Sequence, residues 1–215
     1  MGGIIRSLNV ATPQPAIFHG REVMTGIYKS PVEGPVFLAR DNFEGDRQAD
    51  LINHGGPDKA VCVYPDEHYA YWQQELQMTL PPGTFGENLT VSGIRETEVC
   101  IGDIYQLGEA VVQVSQPRQP CYKLAGKLGV ADMVARVQST GYTGYYFRVL
   151  QEGRVSKGDA LRLLARDTHG ITVMFANRIK YHDQQNRDAI HRILEVEALA
   201  ESWRQSFRKR LAAAE

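Results

Sequence analysis

The sequence predicts a mainly β fold, a barrel carrying a few helices, followed by a small three-helix domain. Three observations lead there. Up to about Gly45, short apolar runs (Ile4-Ile5 into Leu8 and Val10, then Val36-Phe37-Leu38) are broken at short intervals by Gly, Pro and Asn. That is the punctuation of short strands joined by turns, as in an all-β barrel or sandwich, not of alternating β and α units. The pattern V-x-x-G-D-x-x-x-L occurs twice, at 99–107 and 155–163, each instance reading as a Gly-Asp turn that feeds a strand. Such an echo suits a barrel built from related hairpins. After Arg166 the apolar period becomes helical: Ile171, Met174 and Ile179, then Ile190, Ile193 and Leu194, then Leu199, Trp203, Phe207 and Leu211 on one face. The predicted division is a barrel over 1–165 and a helical domain over 166–215.

Composition bounds the function. With 43% hydrophobic and 23% charged residues the chain is ordinary for a globular protein, and a formal net charge of -1 gives no general attraction to nucleic acid or to a membrane surface. No apolar run is long enough to span a bilayer, and the first residues lack a secretory h-region. The three cysteines, Cys62, Cys100 and Cys121, are odd in number and form no CxxC pair. A disulfide framework and a cysteine zinc site are therefore not expected, and a reducing cytoplasm is the expected compartment.

Along the chain, Lys29 stands between Ile27-Tyr28 and Pro31, a place where only context would make it an anion contact. Residues 46–59 crowd Asp46, Arg47, His54, Asp58 and Lys59 around the Gly55-Gly56-Pro57 turn, which runs into a strand-like 60–64. Two adjacent glycines allow positive φ and close approach of backbone to a ligand. Residues 66–77 read as a helix with Asp66 as N-cap and Tyr69, Trp72 and Leu76 on its apolar face. The pair Glu87-Asn88 follows glycines and offers an acceptor and an amide to a polar heterocycle, or forms a turn.

Residues 110–114 predict a strand, and 115–124 (Ser-Gln-Pro-Arg-Gln-Pro-Cys-Tyr-Lys-Leu) an extended segment whose two prolines keep it out of a central strand. Cys121 there lies beside Arg118 and Lys123 and at the start of a helix-like run. Nearby cations favour a thiolate, so Cys121 is a candidate nucleophile or metal ligand as well as a candidate structural thiol. Residues 129–138 predict a helix and 141–150 a strand, and Arg208-Lys209-Arg210 is expected to complement the dipole of the last helix.

Four separated motifs, in order, resemble the MOSC domain: Asn53-His54-Gly55-Gly56-Pro57-Asp58-Lys59-Ala60-Val61, Phe85-Gly86-Glu87-Asn88-Leu89, Gly102-Asp103, and Pro117-Arg118-Gln119-Pro120-Cys121. The helical region after about 166 is similar to that of YiiM-type members. The resemblance covers about 1–165 and implies a MOSC-type β-barrel that binds the molybdenum cofactor, a pyranopterin dithiolate with a terminal phosphate. It implies Cys121 as the molybdenum ligand, and reduction of N-hydroxylated compounds such as 6-N-hydroxylaminopurine. It implies electrons from a separate flavoprotein reductase, and pyridoxal phosphate binding as a further family-level association.

On that reading His54 or Asp58 delivers a proton. Lys29, Arg47, Lys59 and Arg118 bind phosphate or pterin oxygens, while Glu87 and Asn88 face the pterin. A soft metal suits a thiolate, and one cysteine suffices where a dithiolene supplies two sulfurs. Two rivals use the same residues: a sulfur carrier with a Cys121 persulfide, and a non-catalytic cofactor-binding module.

Overall fold

The computed structural model describes residues 2–18, 20–50 and 55–213. Strand β1 (Gly2–Val10) alternates exposed and buried positions and then turns wholly inward at Ser7-Leu8-Asn9. A hairpin of β2 (Gln14–Phe18) and β3 (Arg21–Thr25) follows, then the short β4 (Ser30–Pro31) and β5 (Val36–Leu38). Next come β6 (Val61–Pro65), helix α1 (Glu67–Leu76), β7 (Leu89–Ser92), β8 (Ile104–Leu107) and β9 (Ala110–Pro117). Helices α2 (Tyr122–Leu128) and α3 (Met133–Thr140) lead to β10 (Tyr145–Gln151), β11 (Gly153–Val155) and β12 (Ala160–Ala165).

Seven strands close on themselves in the order β1, β12, β8, β9, β10, β6, β7 and back to β1. Closure removes the free edges an open sheet would leave. All these pairings are antiparallel except β6 with β7, whose parallel alignment α1 makes possible by carrying the chain back. The barrel interior holds Ile5, Leu8, Val61, Val63, Tyr105 and Phe147 among others. Strand β6 is buried at all five positions because α1, α2 and α3 cover its outer side, building a second apolar layer around Tyr64, Trp72, Phe85 and Leu124.

The two Gly-Asp repeats adopt the same turn. Gly102 and Gly158 take positive φ (97° and 90°), and each aspartate accepts a hydrogen bond from the amide three residues back, Cys100 to Asp103 at 2.9 Å and Ser156 to Asp159 at 2.8 Å. The turns feed β8 and β12, which pair with each other.

Three local expectations change. Strand β9 continues through Ser115 and Gln116 to Pro117, where the prolines were expected to exclude it from a central strand. Beyond Gln113 it pairs only with β10, so Pro117 needs no donor on its other side. The helix expected over 129–138 begins at Met133, because Gly129 takes the left-handed conformation that ends α2. Asp66 sits at the N-cap of α1 without a side-chain cap bond.

The last region folds as α4 (Val173–Tyr181), α5 (Arg187–Glu195) and α6 (Glu201–Ala212), with Thr172 and Asn186 capping the first two through their side-chain oxygens. Their core holds Ile179, Ile190, Ile193, Trp203 and Phe207. Lys209 and Arg210 stand in the last turn of α6, where their charge complements its dipole as expected, and Arg210 also reaches a neighbouring helix. Its guanidinium donates to the carbonyls of Ile179 and Lys180 at the end of α4, at 3.0 and 3.2 Å. No helix among the described residues is long and apolar enough to cross a membrane.

Candidate functional site

One end of the barrel opens into a cleft of about 650 Å³, its open mouth included, walled by the base of the β2–β3 hairpin, residues 46–50, Cys62 of β6, the 85–88 turn and the 118–123 segment. The hairpin is pressed onto α2 by Phe18. A Cβ on Gly126 would lie 2.2 Å from that ring, so only glycine admits the contact.

Arg118 lines the wall, although only 6% exposed. Its amide donates to Gly144 O at 3.0 Å and one terminal nitrogen to Phe85 O at 2.6 Å. The other terminal nitrogen, Nη1, is buried without a well-formed hydrogen bond, the Tyr146 hydroxyl being the polar group that interacts with the guanidinium. An arginine stays charged at neutral pH, and a buried donor without a well-placed acceptor is costly, so this group calls for an acceptor in the cleft.

Cys121 also lines the cleft, at the N-cap position of α2, half-buried, with its backbone extended (φ −124°, ψ 166°). Sequence reasoning missed Cys62, which it placed in an apolar strand. The strand is indeed apolar, yet Cys62 faces the same cleft. Burial pushes its thiol up to about 11, against the pull of Arg118, so it stays protonated at neutral pH. With every residue of β6 buried, alternation carried no signal for which of them would meet the opening.

The other proposed site residues divide into lining and frame. Arg47, Lys59 and Asn88 line the cleft with Lys29, Lys123 and Tyr146. Burial lowers the Lys59 ammonium, with Asp58 and Asp50 opposing. Lys29 pairs with the buried Asp46, whose oxygens also accept the Ala11 amide at 2.8 Å and the Asn88 amide at 2.8 Å. Asn88 Oδ1 in turn accepts the amide of Cys62 at 3.0 Å, so this network fixes the strand that carries the second thiol.

Glu87 lies behind the wall, fully buried and outside the lining residues. Asp58 is turned away as well: Arg148 holds its carboxylate at 2.7 and 2.9 Å, and its side chain does not line the cleft. His54 lies outside the described residues. Lys127, which the sequence did not single out, ties the cleft's rim together by donating to Ile27 O at 3.0 Å and Gly83 O at 2.9 Å.

The cleft thus combines a half-buried thiol, a buried guanidinium with a spare donor, and further cations at its wall. Residues 50–162 match the MOSC domain. The chain belongs to the MOSC-domain family. Residues 171–214 match the YiiM-like, 3-alpha helix domain, so this MOSC chain carries the YiiM type of helical region.

A Bacillus subtilis relative, the uncharacterized protein YflK, is 61% identical over 206 residues, 96% of this chain and 93% of that one. Escherichia coli protein YiiM is 40% identical over 86% of this chain and 84% of its own length. A Gibberella moniliformis protein named "Reductase" is 38% identical over 74% of this chain, a region that makes up 29% of the fungal protein. The crystal structure of YiiM from Geobacillus stearothermophilus superposes with a TM-score of 0.84 at 42% identity, covering 97% of this chain and 99% of that one.

Proposed function

We propose that this MOSC chain is a molybdenum-cofactor-dependent oxidoreductase that reduces N-hydroxylated compounds such as 6-N-hydroxylaminopurine, with electrons from a separate flavoprotein reductase. The observation that carries the reading is the poorly bonded Nη1 of buried Arg118 in a cleft that also presents Cys121. MOSC membership and a fungal relative named as a reductase support the redox class.

The residues present fit the group. Cys121 is a soft sulfur donor on the wall, suited to molybdenum. Arg118 offers its charge and its remaining Nη1 donor to an anion, and Arg47, Lys59 and Lys123 add positive charge for phosphate or pterin oxygens. When bound, the molybdenum cofactor supplies the two-electron chemistry of N–O bond reduction. The balance is one N-hydroxyl compound, two electrons and two protons giving the amine and one water.

The chain's own part is to hold the anion, shield the cleft and deliver protons. Asp58 is committed to Arg148, which leaves His54 as the proton donor in this reading.

Metal analysis of protein from cofactor-competent cells, paired with turnover of an N-hydroxylated base under an added electron donor, tests the proposal. We expect molybdenum in the wild type and turnover that Cys121→Ser abolishes without lowering the melting temperature. Full activity in that variant, or a metal-free protein carrying a persulfide on Cys121, would overturn it.

A further inference from the structure

The chain at and just before Arg118 is gripped from the C-terminal helices by two routes. By the first route, the carbonyl of Gly144 that accepts the Arg118 amide also accepts the Thr143 hydroxyl at 2.8 Å. Asn177 of α4 donates to that hydroxyl's oxygen at 2.7 Å. By the second route, Ser115 O accepts the amide of Ala200 at 3.0 Å, and Gln116 Oε1 accepts the Ser202 hydroxyl at 3.1 Å. Ala200 and Ser202 stand at the start of α6, and Gln116 is two residues from Arg118.

The Gly144 turn is closely fitted, so a shift there is passed on to the Arg118 amide it holds. Its φ is +72°, a Cβ there would meet Val63 O at 2.3 Å, and its amide is held by Glu96 at 2.7 Å, itself held by His68 at 2.6 Å. Asn177 is 1% exposed and its Oδ1 has no partner. A half-satisfied buried amide weakens a helix face that an apolar side chain would strengthen, so folding alone does not account for it.

We propose that the C-terminal helical domain is a positioning device for the cleft. Asn177 acts through Thr143 and Gly144, and Ala200 and Ser202 act through Ser115 and Gln116, to fix the Arg118 guanidinium where a ligand meets it. Among the described residues the helices reach the cleft through the 115–119 segment that carries Arg118, and Tyr181 of α4 meets the Gln119 side chain beside it. The consequence for catalysis rests on the reading of Arg118 as the anion-binding group, but the positioning can be measured without any ligand.

The measurement is proton exchange at the Arg118 guanidinium in full-length, ¹⁵N-arginine-labelled protein, the resonance being identified by its loss in Arg118→Lys. Thr143→Val and Asn177→Ala should speed that exchange by about fivefold to tenfold, the value of one lost hydrogen bond. Thr143→Ser, which keeps the hydroxyl, should restore it. Asn186→Ala removes the cap of α5 and destabilises the same helical domain away from these contacts, and should leave exchange unchanged. Ser202→Ala provides a second reading should Thr143→Val fail to fold.

Inorganic phosphate affinity should weaken in the same variants that exchange faster. Wild-type exchange in both Asn177→Ala and Ser202→Ala, or acceleration by Asn186→Ala equal to theirs, would overturn the inference. Faster exchange in Asn177→Ala alongside a wild type free of molybdenum would sink the cofactor reading and support the positioning.

Discussion

Glu87 receives three hydrogen bonds on one carboxylate oxygen, from the Tyr69 hydroxyl, the Gly83 amide at 2.9 Å and the Thr90 hydroxyl at 2.7 Å. Burial, with Glu87 second, holds the Tyr69 phenol far above its ordinary range, so it remains a donor. Glu87→Ala would strand those donors in the interior, and we expect a loss of about 3 kcal/mol or more in urea unfolding. A loss below about 1 kcal/mol would show that Glu87 is not part of the frame. Lys127 gives a pH test. Burial lowers its ammonium from 10.5 to about 8. Between about pH 8 and 10 the unfolded chain therefore binds a proton the folded chain has released, and stability rises with pH through this group. Lys127→Met lacks that contribution. The unfolding free energy of the wild type relative to the variant should grow from pH 8 to pH 10, and a flat difference would refute the lowered value.

At the scale of elements, the paired Gly-Asp turns share a local bond but differ in surroundings. Asp103 is fully buried and also accepts Arg166 at 3.0 Å and the Asp167 amide at 3.0 Å, joining β8 to the chain that leaves β12. Asp159 is half-buried, and its side chain serves the Ser156 amide of its own turn. Asp103→Ala should therefore cost about 3 kcal/mol and Asp159→Ala about 1 kcal/mol by chemical denaturation. Equal costs would mean that the turn alone sets the stability at both places. The repeat was legible because a Gly-Asp turn is a property of four or five adjacent residues. The burial that separates the two copies was not.

Across the whole molecule the barrel and the helices interlock. Val173 of α4 packs in the barrel core, Ile101 of the first Gly-Asp turn packs among the helices, and Cys100 bridges to Thr172. Cores that exchange residues in this way should lose structure together. Trp72 lies in the layer outside β6 and Trp203 in the helical core, so Trp72→Phe and Trp203→Phe leave one reporter each. We expect the two fluorescence transitions to share one midpoint once each variant's own stability change is allowed for. A helical transition at clearly lower denaturant would show an independently unfolding domain.

The sequence by itself determined the fold class, the three C-terminal helices, the Gly-Asp turns, and a cysteine set among cations after β9. These depend on period and on neighbours within a few positions. Only the tertiary structure decided which polar residues line the cleft and which hold it. Asp58 meets Arg148 at a separation of 90 residues, Asn88 meets Asp46 at 42, and Arg118 meets Phe85 at 33. Cys62 reaches the opening because β6 lies between β7 and β10 in a closed ring. Barrel closure and strand register bring distant residues to one end of the molecule, and neither is written in the spacing of residues along the chain.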